Sequence, residues 1–306
     1  MSMKNSNFSR QEENNNVWLT RQDTSNFNIT DYGVTPTVFN TEAEVGQAML
    51  NELYKTAEAK EGDINIALLG GRGAQQLHRL LGELAESGEQ DALLARLNVF
   101  TQDALAPMGM ANGLSFVRDF ERILGDAFFK KIKSFTPMQT DTNDLESALI
   151  DYLTKLEELG GLDIFFIGHG PEENQASHLA YIKPFSGAQQ HHVAGIIPIS
   201  NSILEHHISK FKAGGSVVSE SDETECRSSQ YILTLGPAAI LQAKKVVQSV
   251  VDADSAPAKI QTYANVLNTK ISSNPLEAKE QLNANPGLWI RLHANAKSFV
   301  LSNLGV

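Results

Sequence analysis

The chain has 306 residues, 42% of them apolar, a formal net charge of −11 and a single cysteine. The acidic balance excludes a protein that coats nucleic acid or lies on an anionic membrane, since both require a basic face. Cys226 alone excludes an intramolecular disulfide framework and a cysteine-rich zinc cluster, and the expected compartment is the cytoplasm.

Residues 1–30 open on MSMKNSNFSRQEENNN, which has no apolar core of a signal peptide and too little apolar surface to offset the entropy of ordering. They read as a loosely attached polar extension, leaving 31–306 as one α/β domain. Pro36–Asn40 reads as a short strand, and Thr41 as the cap of an amphipathic helix carrying Val45, Met49 and Leu53. Asn65–Leu69 is a buried strand broken by Gly70-Gly71-Arg72-Gly73, and a helix with Leu77, Leu80, Leu81 and Leu84 follows. Leu97–Thr101 is a second strand, and Ser115 opens a helix with Phe116, Phe120, Ile123 and Leu124. Leu145–Leu159 is a further helix, ended by Gly160-Gly161, and Leu162–Ile167 a third buried strand. His192–Ile199 and Ser229–Leu235 read as strands, and Ala238–Val251 as a strongly amphipathic helix. No apolar run reaches membrane-spanning length. Continuous apolar strands alternating with helices predict a mostly parallel sheet flanked by helices in a three-layer, Rossmann-like arrangement.

Such sheets place ligands beyond the carboxyl ends of their strands, which directs attention to three loops. The first, Gly70 to Gly73, brings backbone N–H groups and a helix start toward an anion, with Arg72 able to add charge. Its spacing is neither a dinucleotide fingerprint nor a P-loop. A tight turn with an exposed arginine is the competing reading. The second loop puts Asp103 just past a strand, as a general base or as an ordinary turn residue. The third, IGHGPEENQASHLAYIKP, gathers His169, Glu172, Glu173, Asn174, His178 and Lys183. It lacks metal-ligand spacing, and no metal or organic cofactor is expected. The pairs His191-His192 and His206-His207 diverge on a strand or helix and read as surface residues.

In order, these segments resemble the glucosamine-6-phosphate deaminase/isomerase family, with 6-phosphogluconolactonases as more distant relatives, from about Thr37 to Leu304. The likeness is carried by NIALLGGRGAQQLHRLL, NVFTQDALAP with SFVRDF, GGLDIFFIGHGPEENQAS, YILTLGPAAILQAKKVV and NPGLWIRLHANAKSFVLSNL. His293 in the last segment favours the deaminases. The resemblance implies a cofactor-free reaction on a phosphorylated amino sugar: an aspartate, here Asp103, moves a proton between C1 and C2, and a histidine assists ring opening. The partner it implies is a small phosphorylated sugar, bound by Gly70, Gly71, Arg72, Gly73 and Lys259, with a homo-oligomer possible.

The departures are local. Asp103 precedes Ala104 and Leu105, where the family has Glu and Tyr. The third loop aligns in two ways. Without a gap, Glu172 stands for the family's aspartate and Asn174 for its histidine. With a four-residue insertion, His178 takes the histidine's place and Lys183 that of a glutamate. The family's phosphate arginine and lysine fall near Gly195 and on Gln230, so Arg72 or Arg227 is expected to replace them. Three functions stay open: hexosamine-phosphate isomerisation or deamination, lactone hydrolysis with His178 as base, and sugar-phosphate binding without chemistry. A relic without a site would have its pocket filled by side chains such as Leu105, Tyr181 or Phe185.

Overall fold

The computed structural model describes residues 7–13, 15–21 and 29–306. The chain opens on strands β1 (Phe8–Glu13), β2 (Asn16–Arg21) and β3 (Pro36–Phe39), then α1 (Glu42–Ala59), β4 (Ile64–Leu68), α2 (Gln75–Ser87) and the short α3 (Asp91–Leu94). β5 (Leu97–Thr101) and β6 (Asp103–Ala106) precede α4 (Phe116–Lys131), β7 (Ser134–Thr136), α5 (Leu145–Glu158) and β8 (Ile164–Ile167). After the two-residue strands β9 (Gly170–Pro171) and β10 (Ser177–His178) come β11 (His192–Pro198), α6 (Asn201–Ala213), α7 (Glu220–Arg227), β12 (Tyr231–Leu235) and α8 (Pro237–Gln242). β13 (Lys245–Val250), α9 (Ala258–Asn268), α10 (Pro275–Ala284) and β14 (Ala296–Leu301) complete the chain.

Seven strands form a wholly parallel sheet in the order β3-β14-β13-β8-β4-β5-β7. Its central strands are largely apolar because both faces are covered. On β8, Ile164 and Phe166 enter the core formed with α1, α2 and α4, while Phe165 and Ile167 enter the core on the other face, with α5. Two-residue periodicity thus turns one apolar run into half of each of two cores. The predicted caps form: Thr41 and Glu44 make a reciprocal capping box on α1, and Ser115 accepts from the N–H of Arg118 at the start of α4.

Two expectations are corrected. Ala238–Val251 is not one helix: α8 ends at Gln242, and Lys245–Val250 is β13, pairing in parallel with both β8 and β14. Val246 and Val247 face opposite cores, so the run is a doubly buried strand. Second, the described part of the polar extension is a hairpin. β1 pairs with β2, and β2 joins an antiparallel sheet of order β1-β2-β11-β12-β6. Most of its exposed polar side chains lie on β1, whereas β2 buries Trp18 and Leu19. Residues 1–6, 14 and 22–28 lie outside the described residues.

This second sheet fixes the position of Asp103. The chain leaves the parallel sheet at the end of β5, bends at Gln102, and enters the antiparallel sheet as β6, opposite Thr234 of β12.

Candidate functional site

The ends of β4, β5, β8 and β13 converge on one cavity. β4 contributes the loop Gly70 to Gly73, β5 contributes Gln102 and Asp103, β8 contributes Gly168 to Gly170, and β13 contributes Ser249 and then Asp252. His178, Tyr181, His206, Lys210 and Lys259 close the walls. All three loops singled out from the sequence meet here.

At one end lies the glycine-rich loop. Gly70 passes so close beneath Phe116 that a Cβ there would sit 1.7 Å from the ring, so the approach requires glycine. The N–H of Gly71 donates to Asp119, and Arg72 pairs with Glu42 at 2.8 Å. Opposite stand two ammonium groups sharing one carboxylate: Lys259 lies 2.5 Å from Asp252 Oδ1, and Lys210 2.8 Å from its Oδ2. Burial alone would raise the Asp252 carboxyl; the two lysines overcome it and hold the group well below the usual carboxylate range. Burial in turn lowers Lys259 against the pull of Asp252. Two cations against one anion leave a surplus positive charge beside a backbone loop, which suits an anionic group.

At the other end stands a histidine held by a carboxylate. His178 Nδ1 lies 2.6 Å from Glu172 Oε1, and both side chains are buried. The ring lies over Gly170, where a Cβ would be 1.8 Å from Nε2. With Nδ1–H directed to Glu172, Nε2 carries the lone pair. The strained backbone of Ala180 (φ 48°) and Tyr181 (φ 56°) forms the adjacent wall. His207 donates from Nε2 to the Leu114 carbonyl, so its Nδ1 accepts the Tyr181 hydroxyl at 3.0 Å.

Asp103 is buried with Oδ1 unpartnered among the described residues, and burial raises its carboxyl well above the ordinary value. His206 is pulled down to about 3 by burial and by its neighbours His178, Lys259 and Lys210, so it is neutral.

The other sequence expectations fall elsewhere. Asn174 is exposed in a turn after Glu173 and does not line the cavity, whereas His178 does. Lys183 is outside the cavity too, bonded to the Pro198 carbonyl, and burial lowers its ammonium. Arg227 is exposed on α7 and committed to Glu205 and Glu223, so it offers no phosphate contact. His293 donates to the Ala243 carbonyl 2.7 Å away and is structural. His192 and His207 are buried, contrary to the surface reading of the histidine pairs. Burial raises the Cys226 thiol to about 12, which leaves no nucleophile there. Tyr181 forms a wall without filling the cavity, Leu105 is in the core, and Phe185 is exposed.

Sequence reasoning passed over Lys210 and Asp252 and read His206 as a surface residue. Lys210 and His206 had a legible signal, four residues apart on one face of α6. Asp252 was hidden by the misreading of β13: a carboxylate just past a buried strand is the same pattern that drew attention to Asp103.

No protein-family model matches the sequence, and no curated protein matches it. Solved structures do. A monomeric glucosamine-6-phosphate deaminase superposes with a TM-score of 0.67 at 16% identity, covering 89% of this chain and 99% of that one. The 6-phosphogluconolactonase of Trypanosoma cruzi gives 0.64 at 15%, covering 91% and 98%, and that of Trypanosoma brucei 0.63 at 16%, covering 90% and 98%. The fold is therefore the one these deaminase and lactonase structures share, as the resemblance of the sequence implied.

Proposed function

We propose that this chain, which has the glucosamine-6-phosphate deaminase and 6-phosphogluconolactonase fold, is a sugar-phosphate enzyme that isomerises or deaminates a hexosamine 6-phosphate by acid–base proton transfer. The observation that carries the reading is the meeting, in one cavity, of anion-suited groups (the Gly70–Gly73 loop, Lys259 and Lys210) with proton-transfer groups (Asp103 and the Glu172–His178 pair).

The phosphate sits between the loop and the two lysines, and the sugar extends toward His178 and Asp103. His178 Nε2 takes the proton of the C1 hydroxyl while the protonated Asp103 gives its own to the ring oxygen, opening the ring to an aldehyde. Asp103 is then a carboxylate that takes the C2 proton and returns it to C1, while His178 passes its proton to O1, leaving, with a 2-amino group, an iminium at C2. Water hydrolyses the iminium to the ketone and ammonia, and the proton released restores Asp103. Glu172 orients the imidazole and stabilises its protonated form.

Lactone hydrolysis is the second reading, favoured by one observation: a carboxylate-held histidine with a free Nε2 is sufficient to activate water. The deciding experiment measures ammonia and ketose phosphate from glucosamine 6-phosphate and galactosamine 6-phosphate, and acid release from 6-phosphogluconolactone, for wild type and Asp103→Asn. Sugar turnover abolished by the substitution supports isomerisation or deamination. Lactone turnover that survives it supports hydrolysis. Thermal stabilisation by sugar phosphates with no turnover would leave a binding protein.

A further inference from the structure

Three polar atoms of the cavity are buried and have no partner among the described residues: Gln102 Oε1, Asp103 Oδ1 and His169 Nδ1. Their residues are 6%, 3% and 4% exposed. Leaving buried polar atoms unpaired costs stability, and such atoms in a native fold call for an explanation. Asp103 has one in the proton transfer above; Gln102 and His169 have none.

Gln102 and Asp103 are consecutive, yet both line the cavity. On a continuous strand their side chains would point to opposite faces. The bend between β5 and β6 turns both inward, so the change of sheet presents an amide beside the carboxyl. The Gln102 side chain makes no hydrogen bond to any described residue. His169 is fixed from behind. Thr262 donates its hydroxyl to the Lys259 carbonyl, and that hydroxyl lies 2.8 Å from His169 Nε2. Nε2 therefore carries the hydrogen, and Nδ1 offers a lone pair. Burial and the nearby Lys259 keep the ring neutral. The cavity thus holds, besides its lysines and the Glu172–His178 pair, an amide and an imidazole acceptor that need hydrogen-bonding groups from a ligand.

We propose that Gln102 and His169 are specificity-determining residues that each take a hydroxyl of the sugar chain, so that the site selects polyhydroxylated phosphates and rejects deoxy analogues. The inference rests on the sugar-phosphate reading of the cavity and adds to it the groups that read the sugar. A site built to bond a hydroxyl discriminates strongly against its loss, because the analogue leaves the buried group unpaired.

The test is calorimetric binding of 1,5-anhydroglucitol 6-phosphate, which lacks the reacting C1 hydroxyl, and of its 2-, 3- and 4-deoxy derivatives, to the full chain. At least one deoxy derivative is expected to bind about ten- to a hundredfold more weakly than the parent. Gln102→Met, similar in shape and without the amide, should weaken the parent comparably and lose discrimination at one position, since the two removals delete the same bond. Parent binding with every derivative within about twofold in wild type overturns the inference and leaves the sugar-phosphate reading standing; this arm decides even if the variant does not fold. A Gln102→Met protein that discriminates as wild type does overturns the assignment to Gln102. Binding of inorganic phosphate with none of the parent overturns both.

Discussion

His178 Nδ1 stands 2.6 Å from Glu172 Oε1, joining two residues six apart across the β9–β10 turn. The third loop's imidazole is on the cavity and Asn174 on the surface. His178→Ala should lower kcat by about 10²–10⁴, the usual contribution of a positioned acid or base. Glu172→Gln should lower kcat less, by frustrating the tautomer. Asn174→Ala should leave kcat and KM within error. Steady-state kinetics of the three variants checks the ranking, and an Asn174 effect equal to that of His178 would favour the ungapped register.

Asp103 ties activity to stability in opposite senses. Its folded-state value is raised by burial from 3.8, so the unfolded chain gives up its proton at a lower pH than the folded chain. The stability from this group is complete below about pH 4 and is lost as pH rises toward the folded value. Asp103→Asn never ionises. Its stability relative to wild type should rise by up to about 1.4 kcal/mol per pH unit above pH 4, until Asp103 itself ionises in the fold, while turnover disappears. Urea unfolding of both proteins at pH 4.5 and 7.5 measures this. A difference that is the same at both pH values would show Asp103 already ionised in the folded state.

How much of this was legible follows the physics of each signal. The parallel sheet was, because strands buried on both faces, such as Ile164–Ile167, are apolar without interruption. β13 was not: KVVQSV inside Ala238–Val251 repeats apolar residues often enough to satisfy a helical period, and only pairing with β8 and β14 decides it. The hairpin was hidden by average composition, since five polar residues of β1 outweigh the two large apolar residues that β2 buries. At the site, sequence-local features were visible: glycines after a strand, an aspartate after a strand, a histidine-rich loop. Lys210 comes from a helix far from these loops in sequence, and the charge sharing with Asp252 that gives it meaning exists only in three dimensions.

The two arginine and lysine assignments for phosphate separate cleanly. Lys259 is buried in the cavity against Asp252, whereas Arg227 is exposed and already paired twice. Lys259→Met should raise KM for a sugar phosphate by about tenfold or more, a charge-assisted contact being worth roughly 1.5–3 kcal/mol. Arg227→Ala should leave KM unchanged and alter stability by less than about 1 kcal/mol. Inhibition by inorganic phosphate, measured on the same proteins, isolates the anion site from the sugar.

His78 makes the fold acid-labile. On α2 it meets the edge of Phe120 at 4.9 Å, and neither ring nitrogen has a partner. Burial, then the charge of Arg122, pulls it from 6.5 down to about 3. The unfolded chain therefore binds a proton that the folded chain refuses. The stability it contributes is complete above about pH 6.5 and falls as pH drops toward 3, by up to about 5 kcal/mol. His78→Leu should move acid unfolding to lower pH and have little effect at pH 7.5. The transition should shift without vanishing, since His192 is also held at about 3 and His207 at about 4.

Trp18 shows that the N-terminal hairpin belongs to the folded unit. It is fully buried, stacks on His192 at 4.8 Å, and donates from Nε1 to the Ser186 carbonyl at 3.0 Å. Gln11 meets His191 and His192, and Glu13 accepts from Gln189, so the hairpin grips the segment that follows the Ala180–Tyr181 wall. Trp18→Ala should cost about 3–5 kcal/mol, the range for emptying an aromatic site in a core. Trp18→Phe keeps much of the packing and loses the hydrogen bond, so it should cost less, nearer 1–3 kcal/mol with the Ser186 carbonyl left unpaired. Removing residues 1–21 would strip β2 from β11 and expose an unpaired edge in the sheet, which favours association between chains. Urea denaturation of the two variants, with light scattering on the truncated chain, tests the claim. A truncated protein as stable and monodisperse as the full chain would mean that β11 is held by β12 alone, and the hairpin would revert to an accessory arm.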